Sequence, residues 1–537
     1  MLYPSGHKDT FARDHLPPED SWPVIDLGLA DLDYPRVLNC AAVLIDAALD
    51  EGFGDKPAIL QGESVLTYSE LAARTNRIAR VLTEDLGVVP GGRVLLRGEN
   101  SPVMFACWLA VIKAGAIAVT TMPMLRAAEL KTIIHKAQAS LALCGQDLCD
   151  EVFAAREPGG ALTRVVSFGP GSELDTLAAE KPATFEPVPT SQDDVCLIAF
   201  TSGTTGEPKA AMHFHRDVLA MCDTFCRHIL RPGSDAIFTG TPPIAFTFGL
   251  GALLVFPLRF RATAALPHQS NPDALWQAIA RHRATHVFTS PTGYRAMLAR
   301  APDEALASVE ACVSAGEHLP KSVSDAWFER TGVRLIDGIG ATEMIHIFIS
   351  ATPETTRPGA VGKAVPGFQA CLLDDQDLPV EGVGVGRLGV RGPTGCRYLS
   401  DARQAKYVVA GWNVTGDIFR RDEDGYYWYV ARADDMIVSS GYNIAGPEIE
   451  AALMTHPSVN ECAVVGWPDR ERGQIVKAVI VVKPDIAADP ALAKALQDHV
   501  KATLAPYKYP RLIEFRTALP KTTTGKIQRS ALRAEAH

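Results

Sequence analysis

Nine consecutive residues, Thr201-Ser-Gly-Thr-Thr-Gly-Glu-Pro-Lys209, gather hydroxyls, glycines and one lysine in a single loop. A loop of this kind turns the N–H and O–H donors of Thr201, Ser202, Gly203, Thr204, Thr205 and Gly206 around an anionic phosphate chain, and Lys209 adds positive charge. Most Gly/Ser/Thr stretches are plain surface turns. Here the apolar run Val195–Phe200, which reads as a buried strand, feeds straight into the loop. Its spacing is not that of the G-x-x-x-x-G-K-[ST] phosphate loop.

Three further groups could do chemistry. In Asp337-Gly-Ile-Gly-Ala-Thr-Glu343, Leu335 and Ile336 end a strand, after which Gly338 and Gly340 let the backbone approach a flat ligand. Thr342 and Glu343 supply oxygens of the kind Mg²⁺ prefers when it is shared with phosphates. Thr415-Gly-Asp417 puts a carboxylate at a tight turn, where it can accept both hydroxyls of a ribose. Pro520-Lys-Thr-Thr-Thr-Gly-Lys526-Ile would by itself be a solvated basic tail. Ser314-Ala-Gly-Glu317 reads as a strand-to-loop corner.

Taken in order, T-S-G-T-T-G-x-P-K, the G-x-G-A-T-E segment, T-G-D and P-K-T-x-x-G-K-I resemble the motifs of adenylate-forming enzymes, which include acyl-CoA synthetases, peptide-synthetase adenylation domains and luciferases. The resemblance covers nearly the whole chain. It implies ATP and Mg²⁺ as cofactors, with Thr204 and Glu343 at the metal. Asp337, Gly338, Ile339 and Thr342, with Gly316 and Glu317, would border the adenine. Asp417 would hold the ribose, Arg432 would assist the nucleotide, and Asp434 would be the hinge. Lys526 would bridge the carboxylate and the α-phosphate, offsetting charge that builds in the transition state. Rotation about the hinge would then bring Gly441, within Ser439-Ser-Gly-Tyr-Asn-Ile444, to the tunnel of the attacking thiol. Free coenzyme A is favoured as that thiol, because no carrier-like D-S-L segment occurs in the chain.

The acid is read from two segments. Phe246-Thr-Phe-Gly-Leu-Gly251 and Ala341-Thr-Glu-Met-Ile-His-Ile-Phe348 are similar to segments of benzoate- and 2-aminobenzoate-CoA ligases. By that likeness Phe246, Thr247, Phe248 and Gly249 wall a flat pocket that Gly340, His346 and Ile347 close. Thr247 would lie near an ortho amino group. The opening P-S-x-H-x-D-T-F-A-R-D-x-L-P-P points the same way. An aryl-CoA ligase for 2-aminobenzoate is the first expectation and benzoate or a hydroxybenzoate the second. The alternatives are an adenylating enzyme that loads a carrier protein and, more weakly, a nucleotide-binding regulator without catalysis. His346 could equally be a packed interior histidine, and His213 and His215 read as packing residues at a helix start.

The elements that must position these groups alternate. Strands at Arg93–Arg97, 116–121, Leu141–Cys144, 286–290 and 311–314 are separated by helical runs, including one capped by Ser101-Pro102. Such alternation means a parallel sheet with helices on its faces. From Gln369 short strands and tight turns take over, and Gly384-Val-Gly-Arg-Leu-Gly389 is expected to be a turn rather than a dinucleotide motif. The fold class expected is therefore α/β: a large N-terminal domain of parallel sheets with helices and a small β-barrel-like part (1–434), then a small, mobile α+β C-terminal domain (435–537). The first 55 residues or so, with Pro4, Pro17, Pro18, Pro23 and Pro35, read as an irregular arm.

At 537 residues the chain exceeds one core. Its net charge of -10 argues against sequence-independent nucleic-acid binding. No apolar run reaches membrane-spanning length, and the N-terminus lacks a signal-peptide core. Eleven cysteines without a C-x-x-C pair argue against a zinc or redox motif and for the cytoplasm. Monomer and homodimer remain open.

Overall fold

The computed structural model describes residues 2–201, 208–439, 442–469, 472–522 and 526–535. The chain forms two compact units, 1–370 with 390–413 and 371–389 with 414–537.

The first unit holds two sheets. One orders its strands Arg164–Phe168, Leu141–Gly145, Arg93–Arg97, Ile117–Thr121, Val195–Thr201 and Lys209–Phe214. All are parallel except the last, which returns antiparallel from the phosphate-loop segment and pairs Lys209 with Thr201. Its central strands are buried along their whole length, as continuous apolar runs in a helix-covered parallel sheet must be. The second sheet runs Lys363–Ala364, Ile347–Ser350, Leu335–Gly340, Ala311–Ala315, His286–Thr289, Ile237–Gly240, Thr263–Leu266, Pro57–Gln61 and Ser64–Thr67. Its middle is parallel and both edges end in antiparallel hairpins. The expected α/β class is thus what forms.

Helices begin where the sequence supplies caps. Thr67 and Glu70 make a reciprocal capping box for Tyr68–Arg80. Ser101 accepts from the Met104 N–H ahead of Pro102–Lys113. Arg93–Arg97 falls on its expected bounds.

The second unit has a strand pair, Trp412–Arg421 against Tyr427–Arg432, and a five-stranded sheet in which Val459–Asp469 and Gly473–Val482 form the long hairpin. Ile449, Leu453, Val464, Val476, Ile480, Leu496 and Val500 close its core. No helix among the described residues is long and apolar enough to cross a membrane.

Four local expectations change. The N-terminal arm ends in helix at Ala42–Asp46 and Ala47–Asp50, where Leu44, Ile45 and Ala48 are buried despite the prolines upstream. Gly384–Gly389 is a strand rather than a turn, within Gly384–Arg391. Its glycines are called for by closeness, since a Cβ on Gly386 would lie 2.6 Å from the Leu373 carbonyl. Leu335–Gly340 continues through Gly338 and Gly340, because the return strand Ile347–Ser350 pairs with both. Thr415-Gly-Asp417 lies inside the strand Trp412–Arg421, and the kink expected of a turn is confined to Gly416 at φ +77°.

Candidate active site

The phosphate-loop hairpin and the Glu343 turn meet in the first unit. Segment Arg397–Leu399 runs alongside the strand Lys209–Phe214: the Met212 N–H donates to the Arg397 carbonyl and the Leu399 N–H to that of Ala210, at 2.8 and 2.9 Å. That pairing presents Tyr398 to the site. Its hydroxyl donates to Oε1 of Glu343, and both residues are buried. Its ring, with that of Tyr407, lies beneath the Lys209 ammonium at 5.3 and 5.8 Å. Ser202, Gly203, Thr204, Thr205 and Gly206, and Gly441 in the second unit, fall outside the described residues.

Thr342–Met344 is a single 3-10 turn that ends at Ile345, a branched residue at φ +64°. Two hydrogen bonds clamp this turn: the Ile345 N–H to the Thr342 carbonyl at 3.1 Å, and the Thr394 hydroxyl to the Met344 carbonyl at 2.8 Å. Beyond it, His346 enters an aromatic cage. Its ring centroid lies 5.3 Å from Phe225, 5.8 Å from Phe248 and 4.7 Å from Phe256. Burial drives its imidazole down to about 3, so the ring is neutral. Phe248 also meets Phe288 at 5.7 Å. Glycines make room for the cage: a Cβ on Gly251 would be 2.8 Å from His346, one on Gly249 2.2 Å from the Pro243 carbonyl, and one on Gly340 2.6 Å from the His346 carbonyl. Ile347 packs so closely over Gly338 that a Cβ there would be 2.6 Å from it. Phe246 donates its N–H to Pro243 at 3.0 Å and leads into the short helix opened by buried Thr247.

Asp337 sits beside Ser314 in register, and its Oδ1 accepts from the Gly338 N–H at 3.0 Å. Loss of solvent drives its carboxyl up to about 8. Gly316 takes φ +88°, which a non-glycine would adopt only with strain, and Glu317 accepts from the Thr292 hydroxyl at 2.9 Å. Ile339 faces Ile349 of the return strand.

In the second unit Asp417 and Arg432 form an ion pair at 3.0 Å across neighbouring strands, and Arg432 also donates to the Thr415 carbonyl at 3.1 Å. Burial raises the Asp417 carboxyl, opposed by Arg432 and, more weakly, by Lys526. Lys526 is exposed on a narrow hairpin. Its N–H donates to the Thr522 hydroxyl at 3.1 Å, Thr522 donates back to its carbonyl at 2.7 Å, and Lys521 pairs with Glu461 at 2.8 Å. Asp434 lies in the 3-10 turn Ala433–Asp435.

Phe225, Phe256, Phe288, Thr394 and Tyr398 were not singled out in the sequence. The phenylalanines belong to separate apolar stretches and no local spacing links them to His346; Tyr398 carries only its place in Arg397-Tyr-Leu. The structure also gathers Cys40, Cys196 and His215, all buried, with ligand atoms within 4.8 Å of one another. The Cys40 N–H already donates to His215 Nδ1 at 3.2 Å, which suits a packed core.

Residues 46–398 match the family described as AMP-binding enzyme, and 448–526 its C-terminal domain. The benzoate–CoA ligase of Thauera aromatica is 38% identical over 94% of this chain and 97% of its own. The 3-hydroxybenzoate–CoA ligase of Aromatoleum sp. (strain CIB) is 34% identical over 92% and 96%. Among solved structures, the anthranilate CoA ligase AuaEII in complex with anthranoyl-AMP superposes with a TM-score of 0.89 at 33% identity, over 95% of this chain and 99% of that one.

Proposed function

Because the chain belongs to the AMP-binding enzyme family and is an acid–thiol ligase, we propose that it joins an aromatic carboxylic acid, 2-aminobenzoate first and benzoate or a hydroxybenzoate second, to coenzyme A. The observation that carries the aryl reading is the cage of Phe225, Phe248 and Phe256 around a neutral His346. A wall of aromatic rings with one uncharged polar edge suits a benzenoid ring better than a flexible alkyl chain. Relatives named for benzoate, 3-hydroxybenzoate and anthranilate support the same substrate class. Thr247, beside Phe248, is the side chain to which an ortho amino group would turn.

The reaction forms an acyl-adenylate with release of pyrophosphate, and the thiol then displaces AMP. ATP is held by the phosphate loop with Lys209, the adenine by Asp337, Gly338, Ile339 and Thr342 with Gly316 and Glu317, and the ribose by Asp417 beside Arg432. Lys526, on its hairpin, neutralises charge at the α-phosphate as the carboxylate attacks. Asp434 is the hinge about which 435–537 turn, taking Lys526 away and bringing Gly441 to the thiol. The donor set suits Mg²⁺: Glu343 is a buried carboxylate with no ion-pair partner among the described residues, and a hard oxygen in that setting calls for a cation. With Thr204 it would hold the metal, which supplies charge neutralisation to the phosphates.

The experiment is ATP- and CoA-dependent AMP release against benzoate, 2-aminobenzoate, hydroxybenzoates and medium-chain fatty acids. Selective turnover of 2-aminobenzoate is the expected result. A preference for alkyl acids would overturn the aryl pocket while leaving the adenylation chemistry intact. Pyrophosphate release with an aryl acid but no thioester would move the acceptor to a carrier protein.

A further inference from the structure

Tyr398 makes two contacts that no motif of the site predicts. Its hydroxyl donates to one oxygen of Glu343, and its ring carries the ammonium of Lys209. The first residue is read above as a metal ligand, the second as a phosphate-loop cation. The tyrosine is itself fixed on three sides. Its N–H donates to Gln404 Oε1 at 3.0 Å, its backbone bridges to Ala211, and the Tyr407 ring meets it edge-on at 5.8 Å and 69°. Gln404 is anchored in turn through its amide to the carbonyls of Ser21 and Cys396, at 3.0 and 3.1 Å.

A carboxylate with one oxygen already occupied by a hydroxyl donor presents the other in a single orientation. Groups of this kind set ligand geometry, and losing them costs ~10–100-fold in metal affinity or activity. A lysine on an aromatic face is similarly restrained, since a cation over a ring gains ~0.5–1 kcal/mol at exposed sites and more when desolvated. Resting on the reading of Glu343 as a metal ligand, we infer that Tyr398 is a positioning residue that holds the Glu343 carboxylate and the Lys209 ammonium in one fixed arrangement for a metal–nucleotide complex. The tyrosine itself touches neither metal nor phosphate.

The test separates metal from nucleotide. ATP affinity of the full-length enzyme is measured by calorimetry, without acid substrate, once with Mn²⁺ and once with EDTA, and the ratio gives the metal-dependent part. Tyr398→Phe keeps the ring and removes the donor; it should cut that ratio ~10-fold or more while leaving the EDTA affinity near wild type. Lys209→Met should instead lower ATP affinity by the same factor in both conditions. A wild-type ratio in Tyr398→Phe overturns the inference, and unchanged ATP affinity in Lys209→Met overturns its lysine half. A wild-type enzyme whose ATP affinity ignores Mn²⁺ would refute the reading of Glu343 itself, and the inference with it, which distinguishes that failure from the other two.

Discussion

Gly251→Ala puts one methyl group where the aromatic cage has no room. The added carbon would lie 2.8 Å from Cδ2 and Nε2 of His346 and 2.9 Å from Cζ of Phe256. Carbon contacts are comfortable at ~3.5 Å or more, so something must move by about 0.7 Å. Overpacking a filled core costs ~1–3 kcal/mol. Gly251 opens the helical stretch Gly251–Val255, and replacing glycine by alanine in a helix returns up to ~1 kcal/mol. The net strain is then ~0–2 kcal/mol, small enough for the protein to fold. The backbone of the stretch is hydrogen-bonded and Phe256 is fully buried, so the imidazole, proposed above to line the acid pocket, is the part that yields. Its displacement narrows the acid pocket, and one or two kcal/mol corresponds to a factor of ~5–30 in binding. The KM for the aryl acid should rise by about that factor, and the KM for ATP should stay unchanged. AMP release at saturating ATP and coenzyme A, with the acid varied, measures both. An unchanged KM for the acid in a variant of unchanged thermal midpoint would refute the placement of His346 in the pocket wall. An equal rise in both KM values would mean that the damage had spread beyond it.

Lys526→Ala should lower acid-dependent pyrophosphate release by ~10²-fold or more while leaving ATP binding by calorimetry intact; undiminished release would take Lys526 out of the chemistry. Asp337→Asn should change how stability depends on pH. A carboxyl raised to about 8 in the native state keeps a proton that the unfolded chain releases near 3.8, so the wild type loses stability as pH climbs between those values and levels off above them. The asparagine variant should lack that decline, gaining thermal midpoint over the wild type at pH 8.5 and little at pH 4; parallel profiles would contradict it. Thr394→Val leaves the Met344 carbonyl without its donor, at ~1–3 kcal/mol, and should lower the thermal midpoint and raise the KM for the acid, whereas Thr394→Ser restores both.

What was legible in the sequence is what local rules govern. Arg93–Arg97 reads as a strand because it is a short apolar-centred run between a Gly-Gly turn and Ser101-Pro102, and the helix after it starts where Ser101 can cap. The segment Thr201–Lys209 stands out in the sequence because donors, glycines and lysine are contiguous. Glycines misled where the close neighbour is the chain itself rather than a ligand or a turn. Gly338, Gly340 and Gly386 sit in ordinary strands and are small because a neighbour's carbonyl or side chain lies within 2.6 Å of where a Cβ would be. The cage around His346 stayed hidden for a different reason. Phe225, Phe248 and Phe256 come from three helical stretches, and only the packing of the chain places their rings beside one imidazole.

The turn between Glu343 and His346 explains why the two sides of the proposed acid pocket are unequal. Had the 3-10 turn Thr342–Met344 continued, residues three apart would eclipse, and both side chains would leave on one face. Ile345 interrupts it at φ +64° and ψ -37°, so that Glu343 reaches Tyr398 while His346 reaches the phenylalanines. A branched residue in that region costs ~1–3 kcal/mol and persists only where its surroundings over-determine it. Burial of Ile345 and the bonds at Thr342 and Thr394 provide that determination. A substitution at 346 therefore pulls on a strained segment that also aims the carboxylate read as the metal ligand. The wall from Phe246 to Gly251 hangs from a helix start held by Pro243 and meets that segment at the His346 ring, through Phe248 and Gly251. Substrate range can be altered from the rest of that wall with little effect on adenylation, whereas a change at His346 reaches both.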